Sequence, residues 1–310
     1  MKPYWQGVFP AVTTQMHRDG SLDHEGTARH LEVLLDSGVA GVVMIGSLGE
    51  NQSLDREEKV EVVEAAVAAV AGRVPVLSGV AETSAQAATR HVRACDAVGA
   101  DGYMVMPSMV YRGDDREVLT HFRTIARATD KPLMIYNNPL SYFNDVTPAL
   151  FSRLAAVDQI VAIKESSGDT RRITDLRNEV GNRYAIFTGV DDLVLESAAV
   201  GIDGWVAGIG LAYPYENQRL WDLIQAGEWE AARKLYRWYT PLLHLDVHAK
   251  LVQNIKLAMQ ENGLGNEWCR APRLPLAGAE RARVLEVIRT GNANRPKLPK
   301  PATKTRARAR

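Results

Sequence analysis

The chain has 310 residues, of which 37 are Lys or Arg and 37 are Asp or Glu, so its formal net charge is zero. A neutral chain gives no electrostatic reason to expect binding to nucleic acid or to a membrane surface. The two cysteines, Cys95 and Cys269, have no metal-site spacing and form no disulfide framework. The sequence also lacks a signal segment and any apolar run near the ~20 residues that span a bilayer, so we expect a cytoplasmic protein.

Short apolar runs alternate along the chain with longer stretches that have helical spacing. The runs predict about eight strands, at 7–12, 41–45, 74–78, 102–106, 132–136, 160–164, 184–187 and 204–207. Candidate helix caps follow several of these runs, at 83–84, 114–115, 147–148 and 169–170. Eight such units predict an α/β fold, the (β/α)8 TIM barrel, whose strand-to-helix loops meet at one mouth and carry the active site.

The strand pattern ends after Ala212 and is replaced by helical spacing. Three further helices are predicted, over 215–224, 229–243 and 250–262. We therefore predict a barrel domain over 1–224 and a C-terminal helical extension over 225–290 that packs on it.

The remaining segment, 291–310, has a different composition from the rest of the chain. It contains a Pro-rich run at 296–301, followed by the basic residues Lys304, Arg306, Arg308 and Arg310. Because it has no apolar face to pack, we predict a disordered tail. A solvated tail is favoured over one that binds nucleic acid.

Lys164 ends an apolar, β-branched run that then breaks into small polar residues. At the end of a buried parallel strand, desolvation would lower the pKa of the amine and leave free amine to attack a carbonyl. From this stretch alone, a lysine that reaches from the strand end to solvent is the favoured alternative.

Two other strand ends place polar groups at the same mouth. The loop 46–50 offers backbone N–H groups and the Ser47 hydroxyl to a carboxylate, with an ordinary tight turn as an equal alternative. Tyr136 ends the strand next to that of Lys164 and can transfer protons, although strand tyrosines usually serve packing.

No metal site is predicted. His244 and His248 are four residues apart on a predicted helix, but they lack the His-Glu-x-x-His pattern. Asp191 and Asp192 are interpreted as a helix cap rather than as cation ligands.

The segments 46–50, 136–139, 163–169 and 189–192 together resemble the dihydrodipicolinate synthase and N-acetylneuraminate lyase family in order and spacing. The resemblance implies a TIM barrel with three C-terminal helices that forms homotetramers or dimers. It also implies a Schiff base between a lysine and a 2-oxo acid, without a cofactor. Lys164 matches that lysine, and Tyr136 matches the tyrosine that relays protons.

The same resemblance supplies candidate substrate-binding residues. They are Gly46, Ser47, Leu48, Tyr111, Ser141, Gly189 and Val206. Ser47 matches the first hydroxyl of the family's carboxylate loop, and Val206 matches the residue whose carbonyl lies near the lysine.

Three departures from the family pattern bear on the substrate. Leu48 stands where the family usually has a second hydroxyl, so a relay through that residue is absent. Ser141 follows the Tyr-Asn-Asn-Pro motif in a segment without the arginine that holds a second carboxylate, which argues against lysine biosynthesis. Tyr111 is the candidate for the tyrosine that the family contributes across its dimer, within an altered loop.

These features most resemble the branch with pyrroline-4-hydroxy-2-carboxylate deaminases and related oxo-acid dehydratases. We therefore predict a Schiff-base lyase for a small 2-oxo acid or cyclic imine, specifically a 1-pyrroline-4-hydroxy-2-carboxylate deaminase. The main alternative is a retro-aldolase that releases pyruvate from a sugar-derived 2-oxo acid, of the N-acetylneuraminate lyase or 2-keto-3-deoxy-sugar-acid aldolase type. A 4-hydroxy-tetrahydrodipicolinate synthase is less favoured, and a binding barrel without catalysis is the least favoured.

Overall fold

The computed structural model describes residues 5–298, and over this range eight parallel strands form a (β/α)8 barrel. The strands are β1 (Gly7–Val8), β2 (Val42–Met44), β3 (Val76–Val80), β4 (Gly102–Val105), β5 (Leu133–Asn137), β6 (Ile160–Glu165), β7 (Ala185–Thr188) and β8 (Gly204–Trp205). From β2 to β8, each strand pairs with the next in sequence, and β1 pairs with β8. The chain after β1 closes the ring, because the Val12 N–H donates to the Val43 carbonyl at 2.8 Å.

The helices surround this barrel and continue beyond its last strand. They are α1 (His24–Ser37), α2 (Arg56–Val70), α3 (Ala85–Ala97), α4 (Asp115–Ala126), α5 (Pro139–Tyr142), α6 (Pro148–Leu154), α7 (Arg171–Val180), α8 (Val194–Ala199), α9 (Pro214–Gln225), α10 (Trp229–Leu243), α11 (Leu251–Glu261) and α12 (Gly278–Ala293). Within residues 5–298, no helix has the length and apolar character needed to span a membrane.

The apolar runs of the sequence form strands because both faces of a parallel sheet are buried under helices. Every residue of β2, β3, β4, β5 and β7 is buried, so no polar alternation marks an outer face. The fold class predicted from the runs, a (β/α)8 barrel with a C-terminal helical extension, is confirmed.

Most of the predicted helix caps are present. Ser84 accepts a hydrogen bond from the backbone of Ala87, and Thr147 accepts one from Leu150. Asp114 forms a reciprocal capping box with the third residue of α4. Thr170 makes no side-chain cap, and Asp169 instead accepts from the Arg171 N–H at 3.0 Å.

The C-terminal region extends further than predicted. Helix α12 continues to Ala293, past the predicted domain boundary at 290. Arg295 then makes two hydrogen bonds to the Glu216 carboxylate, at 2.6 and 2.8 Å. Residues 291–295 are therefore part of the fold, because their polar groups have partners there. The remainder of the predicted tail from residue 299 lies outside the described residues.

A buried ion pair joins the extension to the barrel mouth. Lys256 Nζ lies 2.6 Å from Glu50 Oε1, and neither side chain is exposed. The second Glu50 oxygen accepts the Arg270 N–H at 3.0 Å, and Lys256 Nζ also donates to the Trp268 carbonyl at 2.6 Å. The loop after β2 is thereby connected both to α11 and to the segment that follows it.

Replacement of one partner of this pair should destabilise the protein strongly. We expect Lys256→Met to lower the free energy of unfolding by about 3–5 kcal/mol, because the Glu50 carboxylate is left buried without a cation. Chemical denaturation followed by circular dichroism measures the change. The matched control is Lys250→Met, which removes a lysine paired with Glu280 at the surface and should cause only a small shift. Equal denaturation midpoints for the two variants would contradict this prediction.

Candidate active site

A cavity of about 390 Å³ opens at the carboxyl end of the barrel strands. Seven of the nine residues predicted for the site line it: Ser47, Leu48, Tyr136, Ser141, Lys164, Gly189 and Val206. They come from loops that are far apart in the sequence. The parallel arrangement of the strands brings them together, as expected for this architecture.

Two predicted residues do not line the cavity. Gly46 lies one residue before Ser47, and its carbonyl accepts the Asn51 N–H at 3.3 Å. Tyr111 is 55% exposed, and its hydroxyl donates to Glu117 Oε1 at 2.7 Å. The structure therefore places Tyr111 on the surface of the chain rather than in its cavity.

Lys164 and Tyr136 are direct neighbours on adjacent strands. Pairing of β5 with β6 places the two residues opposite each other, and Lys164 Nζ lies 3.9 Å from the centre of the Tyr136 ring. Each residue is only 6% exposed. The alternative in which Lys164 reaches from the strand end to bulk solvent is therefore wrong.

Burial changes the acid–base behaviour of the Lys164 amine. Desolvation lowers its pKa, and the Tyr142 phenol with the carboxyl groups of Asp246 and Asp191 opposes this shift in part. The Lys164 side chain also packs against Gly189, where a Cβ would overlap Lys164 Cε and Ser166 Oγ. A larger residue at position 189 would therefore require these two side chains to move.

The turn that follows Lys164 is held by the next side chain. The Glu165 carboxylate accepts from Asn137 Nδ2 at 2.9 Å and from the Ser167 N–H at 2.6 Å. Asn137 also accepts the Val146 N–H at 2.8 Å. These bonds join β6 to β5 and fix the end of the strand from which Lys164 projects.

The Tyr136 hydroxyl is also held within the protein. Asn138 Nδ2 donates to it at 3.2 Å. Desolvation raises the pKa of Tyr136, while the neighbouring Asn138, Tyr142 and Ser166 side chains lower it in part. The phenol is therefore protonated at neutral pH and can donate a proton to an adjacent oxygen.

Tyr142 belongs to the site although the sequence analysis did not include it. Its hydroxyl hydrogen-bonds to the Ser47 hydroxyl, and its ring packs edge-on against Tyr136 with a centroid separation of 5.3 Å. Helix α5 positions it, because Asn138 caps this turn by accepting the Ser141 N–H at 3.0 Å. The sequence did contain a signal for this residue. Asn138 followed by Pro139 predicts the start of a short helical turn directly after Tyr136, and Tyr142 belongs to that turn.

The C-terminal extension adds residues that the sequence analysis did not place in the site. Asp246 and His248 line the cavity from the loop between α10 and α11. His244 caps the end of α10 and bonds through Nδ1 to Asp192 Oδ2 at 2.7 Å. The prediction that His244 and His248 share a helix is therefore wrong, since α10 ends at Leu243.

Asp191 is a buried acceptor rather than a helix cap. Its carboxylate accepts from Trp205 Nε1 at 2.9 Å, from the Gly208 N–H at 3.1 Å and from the Ile209 N–H at 2.7 Å. Burial raises its pKa to about 6, and these hydrogen bonds limit the increase. The sequence interpretation of Asp191 as a cap is wrong because its acceptors are used by the loop after β8.

Comparison with known proteins agrees with this fold. Residues 4–290 match the Dihydrodipicolinate synthetase family. The 4-hydroxy-tetrahydrodipicolinate synthase of Methanosarcina barkeri is 29% identical over 286 residues, which cover 92% of this chain and 98% of that protein. The enzyme of the same name from Syntrophobacter fumaroxidans is 31% identical over 283 residues, covering 91% and 97%.

Solved structures of dihydrodipicolinate synthases are similar to this chain in fold. Dihydrodipicolinate synthase from Aquifex aeolicus superposes with a TM-score of 0.89 at 26% identity, covering 93% of this chain and 98% of that one. Dihydrodipicolinate synthase from Bacillus anthracis superposes with a TM-score of 0.88 at 29% identity, covering 92% and 98%.

The lowered pKa of Lys164 predicts a distinct pH dependence for its chemical modification. We expect acetylation of Lys164 to reach half its maximal rate below the ~10.4 of an ordinary lysine, because free amine forms at lower pH when the ammonium is desolvated. Competitive labelling with acetic anhydride, followed by peptide mass spectrometry, measures this midpoint. Exposed Lys234 in the same sample serves as the internal reference for reagent loss. A Lys164 midpoint at or above 10.4 would rule out the desolvated amine.

Proposed function

Since this chain belongs to the dihydrodipicolinate synthetase family of class I Schiff-base lyases, we propose that it acts on a small 2-oxo acid or cyclic imine as a 1-pyrroline-4-hydroxy-2-carboxylate deaminase. The observation that carries the proposal is the buried Lys164 amine, 3.9 Å from the ring of a protonated Tyr136. A nucleophile and a proton donor are thus adjacent in a cavity large enough for a small acid.

The first step follows from the chemistry of the amine. Lys164 attacks C2 of the pyrroline, a bond forms between Nζ and C2, and the ring nitrogen leaves C2 with its electron pair and takes up a proton. The protonated imine is then an electron sink that allows loss of a C3 proton to give an enamine. Tyr136 is the group that can move protons near these atoms.

The later steps of the reaction remove the C4 hydroxyl and the former ring nitrogen. The C4 hydroxyl leaves as water, and tautomerisation then moves protons from C5 and its nitrogen to C4 and C3, which makes the C5–N bond an imine. One water hydrolyses this imine to the C5 aldehyde and ammonia, and a second water releases the C2 oxo group of the 2-oxoglutarate semialdehyde from Lys164. Atoms balance as one pyrroline and one water giving one semialdehyde and one ammonia. No cofactor is needed for these steps, because the imine carries the electron pair at each stage.

The loop after β2 supports recognition of the substrate carboxylate. Within residues 5–298, the backbone N–H groups of Ser47 and Leu48 donate to no protein acceptor, and both residues line the cavity. Free amides in a turn form an anion-binding nest. The Ser47 hydroxyl is adjacent and is oriented by its bond to Tyr142. We assign the substrate C1 carboxylate to this loop.

The rest of the cavity argues against a second carboxylate. None of the described residues that line it is an arginine, and the segment 140–142 after the Tyr-Asn-Asn-Pro motif lacks the arginine that the family resemblance implies for dihydrodipicolinate synthases. Asp246 and His248 face the same space. A substrate whose distal part donates hydrogen bonds, such as a hydroxylated pyrroline, fits this lining better than a dicarboxylate.

We further propose that the active protein is a homo-oligomer. Four large apolar side chains are exposed on the loops after β4 and β5, namely Val110, Tyr111, Leu140 and Phe143. The two loops are bonded to each other, because Asn144 Nδ2 donates to the Ser108 carbonyl at 2.6 Å. Exposed apolar side chains on two connected loops are typical of a protein interface, and a second copy of the chain is the partner that the family resemblance implies.

The covalent step is tested by reductive trapping. Borohydride added with pyruvate should leave one carboxyethyl group on Lys164, located by peptide mass spectrometry. Lys164→Ala should give no adduct, whereas Lys250→Ala, which removes a surface amine, should be modified as the wild type is. Wild-type protein that stays unmodified would overturn the proposed Schiff-base chemistry.

The substrate assignment is tested by product analysis. With 1-pyrroline-4-hydroxy-2-carboxylate, we expect equimolar release of ammonia and of the 2-oxoglutarate semialdehyde, each measured with a coupled dehydrogenase. A panel of sugar-derived 2-oxo acids tests the aldolase alternative. Release of pyruvate from that panel, with no ammonia from the pyrroline, would establish the aldolase and reject the deaminase.

The contact between Tyr142 and Ser47 predicts coupled effects of mutation. Tyr142→Phe and Ser47→Ala should each raise the KM for the substrate roughly tenfold, about the effect of one hydrogen bond to a charged group. The double variant should be little worse than either single variant, because both changes remove the same interaction. Tyr215→Phe, at the surface of α9, is the control. If the double variant raised the KM by the product of the two single effects, the Tyr142 and Ser47 hydroxyls would not act together.

A further inference from the structure

Asp246 occupies an unusual position in the loop between α10 and α11. Its carboxyl packs against Gly208, where a Cβ would overlap the Asp246 side chain. The loop itself is held in place, since Asn254 Nδ2 donates to the Leu245 carbonyl at 3.0 Å. The carboxyl therefore enters the mouth of the barrel through space that a glycine leaves open.

The Asp246 carboxyl has no protein partner in the cavity. Among residues 5–298, no hydrogen-bond donor lies within bonding distance of its oxygens, whereas neighbouring Asp191 accepts three hydrogen bonds. Asp246 lines the same cavity as Lys164. An acidic group that faces the reactive lysine and is left free by the protein is available to a bound molecule.

The surroundings of Asp246 favour its protonated form. Desolvation raises the pKa of Asp246 well above that of an ordinary carboxyl, Asp191 and Asp192 raise it further, and Lys164 lowers it in part. In its protonated form, the Asp246 carboxyl is a hydrogen-bond donor and a proton source. Asp191, by contrast, has both oxygens engaged by N–H groups and must remain an acceptor.

We propose that Asp246 is the catalytic acid that protonates the C4 hydroxyl of the substrate bound to Lys164, an assignment that rests on the proposed deaminase function. The Asp246 proton moves to the hydroxyl oxygen, the C4–O bond breaks with its electron pair, and water leaves. The enamine supplies the replacement electrons: the nitrogen lone pair forms the bond to C2, and the C2–C3 double bond shifts to C3–C4. Asp246 ends as a carboxylate beside a protonated imine and regains its proton from water.

In this assignment, each of the two proton transfers is carried out by a different element of the fold. Tyr136, on β5, acts near the imine and C3, while Asp246, in the C-terminal extension, acts on the leaving group. The separation makes the two roles distinguishable, because pyruvate has a C3 methyl group but no C4 substituent. Exchange of the pyruvate C3 protons for deuterium requires the enamine and does not require a leaving-group acid.

The test compares these two reactions in Asp246→Asn. We expect this variant to retain borohydride trapping and pyruvate C3 exchange within about twofold of wild type, and to lose at least ~100-fold in the kcat of ammonia release from the pyrroline. Asp175→Asn, which replaces an exposed carboxylate on α7, is the matched control and should retain both activities. Gly208→Ala, which crowds the Asp246 carboxyl, should reproduce the effect of Asp246→Asn.

Each other outcome has a defined meaning. Loss of pyruvate exchange in Asp246→Asn would assign Asp246 to the state of the Lys164 amine and overturn its role as leaving-group acid. Unchanged ammonia release would also overturn that role. Wild-type protein that neither exchanges pyruvate nor forms the trapped adduct would reject the proposed Schiff-base function itself. Wild-type protein that exchanges pyruvate but releases no ammonia would reject the deaminase and the Asp246 assignment with it.

Discussion

The buried ion pair between Glu50 and Lys256 is the constraint on which the arrangement of this mouth depends. Both charges are fully removed from solvent, and each has a second hydrogen-bond partner. A buried pair of this kind costs desolvation energy that hydrophobic side chains would not. The ion pair instead fixes the position of the loop after β2 relative to helix α11. Within the described part of the chain, the Glu50 carboxylate and the Lys256 ammonium can neutralise their charges only with each other.

Two functional consequences follow from that connection. The loop with Ser47 and Leu48 precedes Glu50 directly, so its free amides are held at a defined place in the cavity wall. The segment before α11 is brought over the strand ends, and it carries Asp246 into the same space as Lys164. A helical extension that is far from the barrel strands in sequence thus becomes part of the site, and its Asp246 carboxyl partly opposes the lowering of the Lys164 pKa by burial.

The sequence predicted best those features of the fold that depend only on residues close together in the chain. Continuous apolar runs predicted the strands because a parallel sheet buries both faces. Strand-end position placed Lys164 and Tyr136 at one mouth, and their roles were predicted from the family resemblance of the segments around them. Interpretation failed for Asp191 and for His244, whose partners come from other segments of the chain. An acidic residue before a helix predicts a cap equally well whether its acceptors are used locally or by the loop after β8.

By itself, then, the sequence determined the barrel and the placement of Lys164 and Tyr136 at neighbouring strand ends, since hydrophobic periodicity and strand-end position are local properties. Only the tertiary structure decided that Tyr142 contacts Ser47, that Tyr111 faces outward and that Asp246 enters the cavity. These relations depend on distances between segments separated by up to about two hundred residues. No spacing along the chain encodes them, because they arise from packing of the extension against the mouth and from the room that Gly189 and Gly208 leave.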